Sequence, residues 1–598
     1  MTTAQPTVRI STGGRAACIV VTQAGASVAE RYAAGELATF LQQITGASFE
    51  VRDSPGRTPR AAIIVGPGSI ARRLFPEVDL ATFGGEQLAM RTKHGRLLLA
   101  GGRPRGTLYA VYRFLQEQCG VRWWAPWAAR IPRNPDLTVG PLDVAERPAF
   151  ELRDPFWFPA FDGDWAARNG SNGSTARLRE EQGGKMVYKG FVHTFFTLVP
   201  PDEHFHNHPE WFSLIDGQRR HPEGDKHRSQ LCTTNPELRE FLVERVREWL
   251  KESPEVNIVS ISQDDTYADR DGACQCPNCK AIDDREGSCA GTVLALVNTI
   301  AGRLGPEFPG VAFDTLAYRY TRKAPRTIRP LPNVIVRLCS IECNFAAPLD
   351  DPSNAGFARD IRDWSRISNR LYVWDYTTDF AHYVLPHPNW FTLGPNVRFY
   401  HQNHVKGLFE QGAYQSHGSE MAELRAWVLA QLLWNPYQDE SKLIDEFLGG
   451  YYGGPASVHI RQYMDLLHRA TRGFNLGCSP WGNATVPDAP HLTFRVLNRA
   501  ERLWQKSEAA AANDSDLLWR VQQGHLAVRY AFLANWIALR DECLQAKAEW
   551  PLPTSRRAVA AEWLSVATGN GPPGWASMTH VNEARRTPQA FVDGLGED

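Results

Sequence analysis

The chain has no surplus of charge. Its 65 Lys and Arg residues face 66 Asp and Glu residues, a formal net charge of −1 over 598 residues. General nucleic-acid and membrane-surface binders carry a basic excess, so neither is expected as a partner. No run approaches the ~20 apolar residues of a membrane span. The opening residues, Met1 to Pro6, lack the basic and apolar regions of a secretory leader. The expectation is a cytoplasmic protein, or an exported one whose leader is not part of this sequence. The 11 cysteines are odd in number and scattered, which argues against a disulfide scaffold. There are no internal repeats, and no low-complexity tract beyond Ala509–Ala512.

What is present suffices for large cores: 43% of residues are hydrophobic and 22% charged. Many of the 19 Trp, 17 Tyr and 28 Phe stand beside polar residues, Gly or Pro, where aromatics can act as stacking platforms. Three regions follow from the patterning. Residues 1–145 read as a small α/β domain, with apolar strand-like runs at 18–22, 61–65 and 97–100. One helix carries Leu37, Phe40, Leu41 and Ile44 at helical spacing and stops at Gly46; another spans 106–119 and stops at Gly120. Gly66-Pro67-Gly68 is read as a plain strand-to-helix turn and not a dinucleotide loop. Pro67 stiffens it, and no acidic residue ends a second strand about 20 residues on. Residues 146–455 alternate strand-like runs (256–262, 311–318, 334–341, 371–374, 405–409) with helical ones (236–251, 292–304, 355–367, 420–433). That is the pattern of a (β/α)8 TIM barrel. Residues 456–598 carry only helical periodicity, at 458–472, 492–512 and 517–546.

In a barrel the chemistry sits where strands end. Four strand-like runs end in acids: Asp264-Asp265, Glu342, Asp375 and Glu410. Several carboxylates in an aromatic-rich cleft suit glycoside hydrolysis, in which one acid protonates the leaving oxygen and a second group stabilises the oxocarbenium-like transition state. Each acid alone also reads as a helix cap or an ion-pair partner; the recurrence is the stronger signal. A second cluster runs from His193 through His204, His206 and His208 to Glu210 and Trp211. It contains no His-Glu-x-x-His helix, and hydrogen bonding to sugar hydroxyls or loop packing is a better reading than metal binding. Cys274, Cys276 and Cys279, with Cys289 further on, have spacing that can hold a structural zinc, though a disulfide or buried thiols fit as well. No cofactor is required for catalysis on this reading.

Several stretches resemble known families. Ala34-Gly-Glu36-Leu, Ile44-Thr-Gly46 and the run from Gly106 to Pro126 resemble the N-terminal domain of family 20 hexosaminidases and family 67 α-glucuronidases. Trp165-Ala-Ala-Arg168-Asn169, Phe191-Val-His193, His208-Pro-Glu210-Trp211 and Ser262-Gln-Asp264-Asp265 resemble a bacterial domain-of-unknown-function family related to glycoside hydrolase family 163. So do the cysteine loop, Glu342-Cys-Asn344, Trp374-Asp375-Tyr376 and Gly407-Leu-Phe-Glu410. The match covers roughly residues 20–460. It implies a retaining β-N-acetylglucosaminidase working by substrate-assisted catalysis, in which the substrate's acetamido oxygen attacks C1. One carboxylate then orients that group while its neighbour acts as general acid. Family 20 places Asp-Glu where this chain has Asp264-Asp265, and the shorter side chain leaves Glu342 as an alternative acid.

Because these acids all follow barrel strands and can converge on one mouth, Asp265 and Glu342 are expected as the principal catalytic carboxylates, with Asp264 orienting substrate. Asp375 and Glu410 bind hydroxyls or tune the acid. His193, Arg168, Asn169 and Asn344 are polar partners, and Trp374, Tyr376 and Trp211 are stacking faces for an oligosaccharide substrate. Two alternatives stay open. One is a family 67-like uronidase, with an Arg pair drawn from Arg168, Arg319 and Arg337 reading a sugar carboxylate. The other is a carbohydrate-binding protein on a degenerate barrel. The sequence does not set the oligomeric state.

Overall fold

The computed structural model describes residues 7–54, 59–222, 229–265, 272–478 and 489–596. Residues 1–6, on which the leader reading rests, lie outside them. In the N-terminal region the apolar runs form the inner strands of a six-stranded mixed sheet. Its strands are β1 (Ile19–Thr22), β2 (Val51–Asp53), β3 (Ala62–Val65), β4 (Leu88–Lys93), β5 (Arg96–Gly101) and β6 (Asp143–Glu146), in the order β6-β4-β5-β3-β1-β2. Helix α1 (Val28–Thr45) opens with a capping box between Ser27 and Glu30 and closes at Gly46, whose φ of 79° suits glycine. Leu37, Phe40, Leu41 and Ile44 of α1 and Val111 and Leu115 of α2 (Gly106–Glu117) cover one sheet face; Ile70, Ala71 and Phe75 cover the other.

The middle region folds into one curled, all-parallel sheet. Its strands are β7 (Leu152–Asp154), β8 (Tyr188–Lys189), β9 (Ile258–Ser260), β10 (Ala312–Ala317), β11 (Val334–Cys339), β12 (Leu371–Tyr376) and β13 (Val405–Gln411), in the order β7-β13-β12-β11-β10-β9-β8. Helices α3 (Pro236–Glu252), α4 (Pro277–Glu286), α5 (Ala290–Leu304), α6 (Ala355–Ser365), α7 (Leu393–Gln402) and α8 (Ala422–Trp434) follow the later strands, except that β10 and β11 are joined through a single 3-10 turn at Arg319–Thr321. The curl is strong enough that Leu152 on one edge strand and Tyr188 on the other share a cluster with Ile258, Ala312, Ile335 and Tyr372. Gly407 completes this layer, because a Cβ there would lie 2.7 Å from the Tyr372 ring.

The expected eight strands are seven among the described residues. The reason is register: β13 pairs directly with β7, Gly407 opposite Leu152, so no place remains between them. No ladder joins β7 to β8 among the described residues. Asn172 stands in the gap instead. Its N–H donates to the Arg153 carbonyl (3.1 Å), its side-chain oxygen accepts from the Arg153 N–H (2.8 Å), and its own carbonyl accepts from the Met186 N–H (2.9 Å). Gly173 allows this approach, since a Cβ there would sit 2.1 Å from the Asp154 carboxyl.

Arg153 points away from the sheet interior and joins the two regions. It makes a two-point pair with Glu86 (2.8 Å each), and Arg105 binds the same carboxylate. Burial works against the Glu86 charge, but the two guanidiniums outweigh it and hold its pKa down at about 2. The C-terminal region is helical: α9 (Glu440–Tyr451), α10 (Gly454–Ala470), α11 (Phe494–Ala511), α12 (Ser515–Ala534), α13 (Trp536–Gln545) and α14 (Arg556–Thr568). The helix expected over 517–546 is broken at Asn535. One apolar cluster runs from the sheet's helices into this region. Among the described residues, no helix is long and apolar enough to cross a membrane.

Candidate functional site

A cavity of about 480 Å³ opens at the carboxyl ends of the parallel strands, where open and closed α/β sheets place their ligands. Alternation along each strand decides what reaches it. Leu316, Cys339, Trp374, Tyr376 and Gln411 are the inward positions at the ends of β10 to β13. His193 and Asp265 enter from the segments that follow β8 and β9. The aromatic walls are held in place: the Trp374 indole donates to the Gln411 side chain (2.7 Å) and stacks on Tyr376 at 6.0 Å. His193 Nδ1 meets the Gln263 carbonyl at 2.8 Å.

The remaining wall comes from the C-terminal region. Asn582, Glu583 and Ala584 line the cavity beside Phe380 and Tyr414. Their segment is pinned to the loops after β12 and β13. The Glu583 N–H donates to the Phe380 carbonyl (2.9 Å), the Tyr383 N–H to the Val581 carbonyl (2.8 Å), and the Thr579 N–H to Ser416 Oγ (2.8 Å). Glu583 is a functional candidate that the sequence reading missed. It belongs to no periodic element and carries no motif, and only the chain's return across the mouth brings it here.

Among the described residues the cavity thus holds two carboxyl groups, Asp265 and Glu583. The Tyr318 hydroxyl donates to Asp265 Oδ1 at 3.0 Å, and the Tyr414 hydroxyl donates to Glu583 Oε1 at 3.4 Å. Burial raises the Glu583 pKa above the usual carboxylate range; the Tyr414 hydroxyl opposes this, and the charge of Asp265 raises it further. Two carboxyls whose environments push their proton affinities apart are the arrangement acid/base chemistry needs.

Of the residues singled out in the sequence, Asp265, His193, Trp374 and Tyr376 meet at this cavity. The others lie elsewhere. Asp264 turns away and accepts from the Phe196 N–H (2.9 Å). Glu342 is engaged by Arg322 (3.0 Å) and Arg319 (3.7 Å) outside the cavity lining. Asp375 and Glu410 follow the inward Trp374 and Phe409 by one residue, so they project from the opposite face of the sheet towards Tyr400 of α7. Burial drives Glu410 well above the usual range and lifts Asp375 to about 6. Arg168 pairs with Glu36 against the N-terminal region (3.1 Å). Asn169 bonds the Trp123 and Trp165 carbonyls. Asn344 accepts from the Ala346 and Leu476 N–H groups. Trp211 is buried and stacks on His208 at 4.1 Å. The uronide-reading arginine pair does not assemble: Arg337 is buried beneath the cavity against Asp314 (2.9 Å), and of the three only Arg319 lines it.

Among the described residues, two groups of side chains can hold a metal ion. One is Cys274, Cys276 and Cys279 joined by Cys232, which the sequence reading missed; all four are buried and free of disulfides. Cys289 lies outside it, at the start of α5. The other is His208, Glu210 and Glu237, a more exposed set. Neither lines the cavity.

No curated protein matches the chain. The family model described as a domain of unknown function, DUF4838, matches residues 123–465. That span contains all seven strands of the curled sheet and Asp265, and ends before Glu583. With more than half of its length matched, the chain belongs to the DUF4838 family.

Proposed function

We propose that the cavity hydrolyses glycosidic bonds. The observation that carries this reading is the pair Asp265 and Glu583 on one aromatic-walled cavity, with Glu583 raised above the ordinary carboxylate range. In the proposed reaction Glu583, protonated, gives its proton to the leaving-group oxygen. As that oxygen departs, the oxygen of the sugar's C2 acetamido group bonds to C1. Asp265, oriented by Tyr318, stabilises the positive charge that builds at C1 and on the acetamido group, and water then opens the cyclic intermediate at C1. Trp374 and Tyr376 offer flat faces to the sugar ring. A β-linked N-acetylhexosamine is the proposed substrate, cleaved with retention. Kinship with glycoside hydrolase family 163, with a family 20/67-like N-terminal region, is part of the same proposal. We read the curled sheet as a barrel whose eighth place is filled by the Asn172 segment.

The proposed scheme departs from an adjacent acid pair. Asp264 is committed to the Phe196 amide, so the second carboxyl comes from Glu583. The absence of a second cavity arginine among Arg168, Arg319 and Arg337 weighs against the uronide alternative. A panel of aryl glycosides tests the reading. Turnover of acetamido sugars, lost in Asp265→Asn, is the expected result. No turnover of any glycoside by the wild-type protein overturns it and leaves carbohydrate binding alone.

A further inference from the structure

We propose that Cys232, Cys274, Cys276 and Cys279 bind one zinc ion through four thiolates, and that this ion holds Asp265 in place through Gln230. The sulfur spacing fits the ion. Zn–S bonds of about 2.3 Å in a tetrahedron set the sulfurs about 3.8 Å apart. Cys232 Sγ lies 3.7 Å from Cys276 Sγ and 3.9 Å from Cys279 Sγ, and all four sulfurs fall within 4.8 Å of one another. A disulfide needs about 2.05 Å, so these contacts are not disulfides. Four buried soft ligands leave no open position for substrate, which makes the site structural and favours zinc over hard cations.

The surroundings suit charged sulfurs. The Leu214 N–H donates to Cys274 Sγ (3.3 Å) and the Cys279 N–H to Cys276 Sγ (3.4 Å); the Thr234 hydroxyl lies 3.1 Å from Cys279 Sγ. Arg219 reaches Cys274 Sγ at 3.7 Å. A divalent ion with four thiolates keeps two negative charges, and donors of this kind are what orient and stabilise such ligands. Cys276 also caps α4, whose N-terminal dipole favours negative charge.

The link to Asp265 is short. Gln230, two residues before Cys232, grips the backbone of Asp264 from both sides. Its Nε2 donates to the Asp264 carbonyl (2.9 Å), and the Asp264 N–H donates to its Oε1 (3.0 Å). Ser213 ties the same strand of chain to the cysteine-bearing one: its N–H donates to the Gln230 carbonyl (2.8 Å) and its hydroxyl to the Gly272 carbonyl (2.6 Å). A zinc ion bonded to Cys232 and to Cys274, Cys276 and Cys279 locks these two segments together, and Gln230 with them. Without it, the Gln230 grip loosens and Asp265 loses its position.

The test uses the full chain. Purified protein is expected to carry one zinc per chain. Cobalt(II) added to stripped protein should give sulfur-to-metal charge-transfer absorption, read on the wild type because Cys232→Ser can misfold. Stripping the metal should speed hydrogen exchange at the Asp264 amide at least about tenfold, with the amides of β3 and β5 unchanged. Gln230→Ala should keep the zinc and reproduce the faster exchange. Protein with no bound zinc and no cobalt–sulfur band overturns the site; iron in place of zinc overturns the metal's identity. A stripped Asp264 amide that exchanges as slowly as the loaded one overturns the link. Only the consequence for turnover rests on the proposed hydrolysis; metal content, absorption and exchange are read without substrate, so the two readings fail separately.

Discussion

Replacing Glu583 by Gln keeps the side chain's shape and its contact with the Tyr414 hydroxyl, which at 3.4 Å is long enough to accept an amide. What is removed is the transferable proton. Loss of a general acid costs about 10²–10⁴-fold in rate, or roughly 2.7–5.4 kcal/mol of barrier at 1.36 kcal/mol per decade. The pH profile gives a sharper readout. Because burial and Asp265 raise the Glu583 pKa, the wild-type acid works while protonated, and activity falls as pH rises through that raised value. In Glu583→Gln this alkaline limb should vanish, and the rate loss should shrink for aryl leaving groups that depart without a proton. Stability should not suffer. A carboxyl whose folded pKa is raised favours the fold below its unfolded pKa and loses that contribution as pH rises through the folded one. The amide lacks this penalty, so Tm at alkaline pH should match or exceed the wild type. A variant that folds normally yet keeps the alkaline limb, or that loses the same factor for every leaving group, would refute the assignment of Glu583 as acid.

Tyr318→Phe removes the 3.0 Å hydrogen bond to Asp265; a bond to a charged group is worth about 1.5–3 kcal/mol, so kcat should fall about ten- to hundredfold with little change in Tm. Glu86→Gln leaves Arg153, whose side chain is 1% exposed, without its ionic partner. Breaking such a pair costs about 3–5 kcal/mol, which chemical denaturation should read as a shifted midpoint with an unchanged slope. Burial lifts the carboxyls of Asp154, Asp379 and Glu423 to about 7. The folded chain therefore keeps protons that the unfolded chain releases near pH ~4, and stability should decline between about pH 4 and 7. Calorimetry finding Tm constant or rising from about pH 5 to 7 would count against these burial-driven shifts.

Strand positions were legible because β10 to β13 are short apolar runs bounded by turns and separated by helical periodicity. Their orientation was not. Strands buried on both faces show no polar–apolar alternation, so nothing in Trp374-Asp375-Tyr376 says which of the three points inward. The two aromatics took the inward positions and the acid was left on the helix side. Asp265 was legible because it follows an apolar run, whereas Asp264 beside it serves the Phe196 amide. Cys232 was invisible for another reason: it stands alone, 44 residues before Cys276, outside any short cysteine spacing. Glu583 lies in a segment with neither strand nor helix pattern, whose place is set by hydrogen bonds to Phe380 and Ser416.

That the cavity's last wall is carried by residues 579–586 has a consequence during synthesis. The last strand of the curled sheet ends at Gln411, and the chain adds the whole helical region before Glu583 is made. At roughly 5–20 residues per second, this interval lasts roughly 10–35 s. During it the sheet can already be paired while its mouth stays open, with Trp374, Tyr376 and Tyr414 exposed to water. The nascent chain therefore presents an uncovered aromatic cleft to the ribosome's surroundings, and the proposed acid arrives last. A chain that stalls or is cut between α14 and Glu583 would keep the parallel sheet and its Asp265, yet have no proton to give.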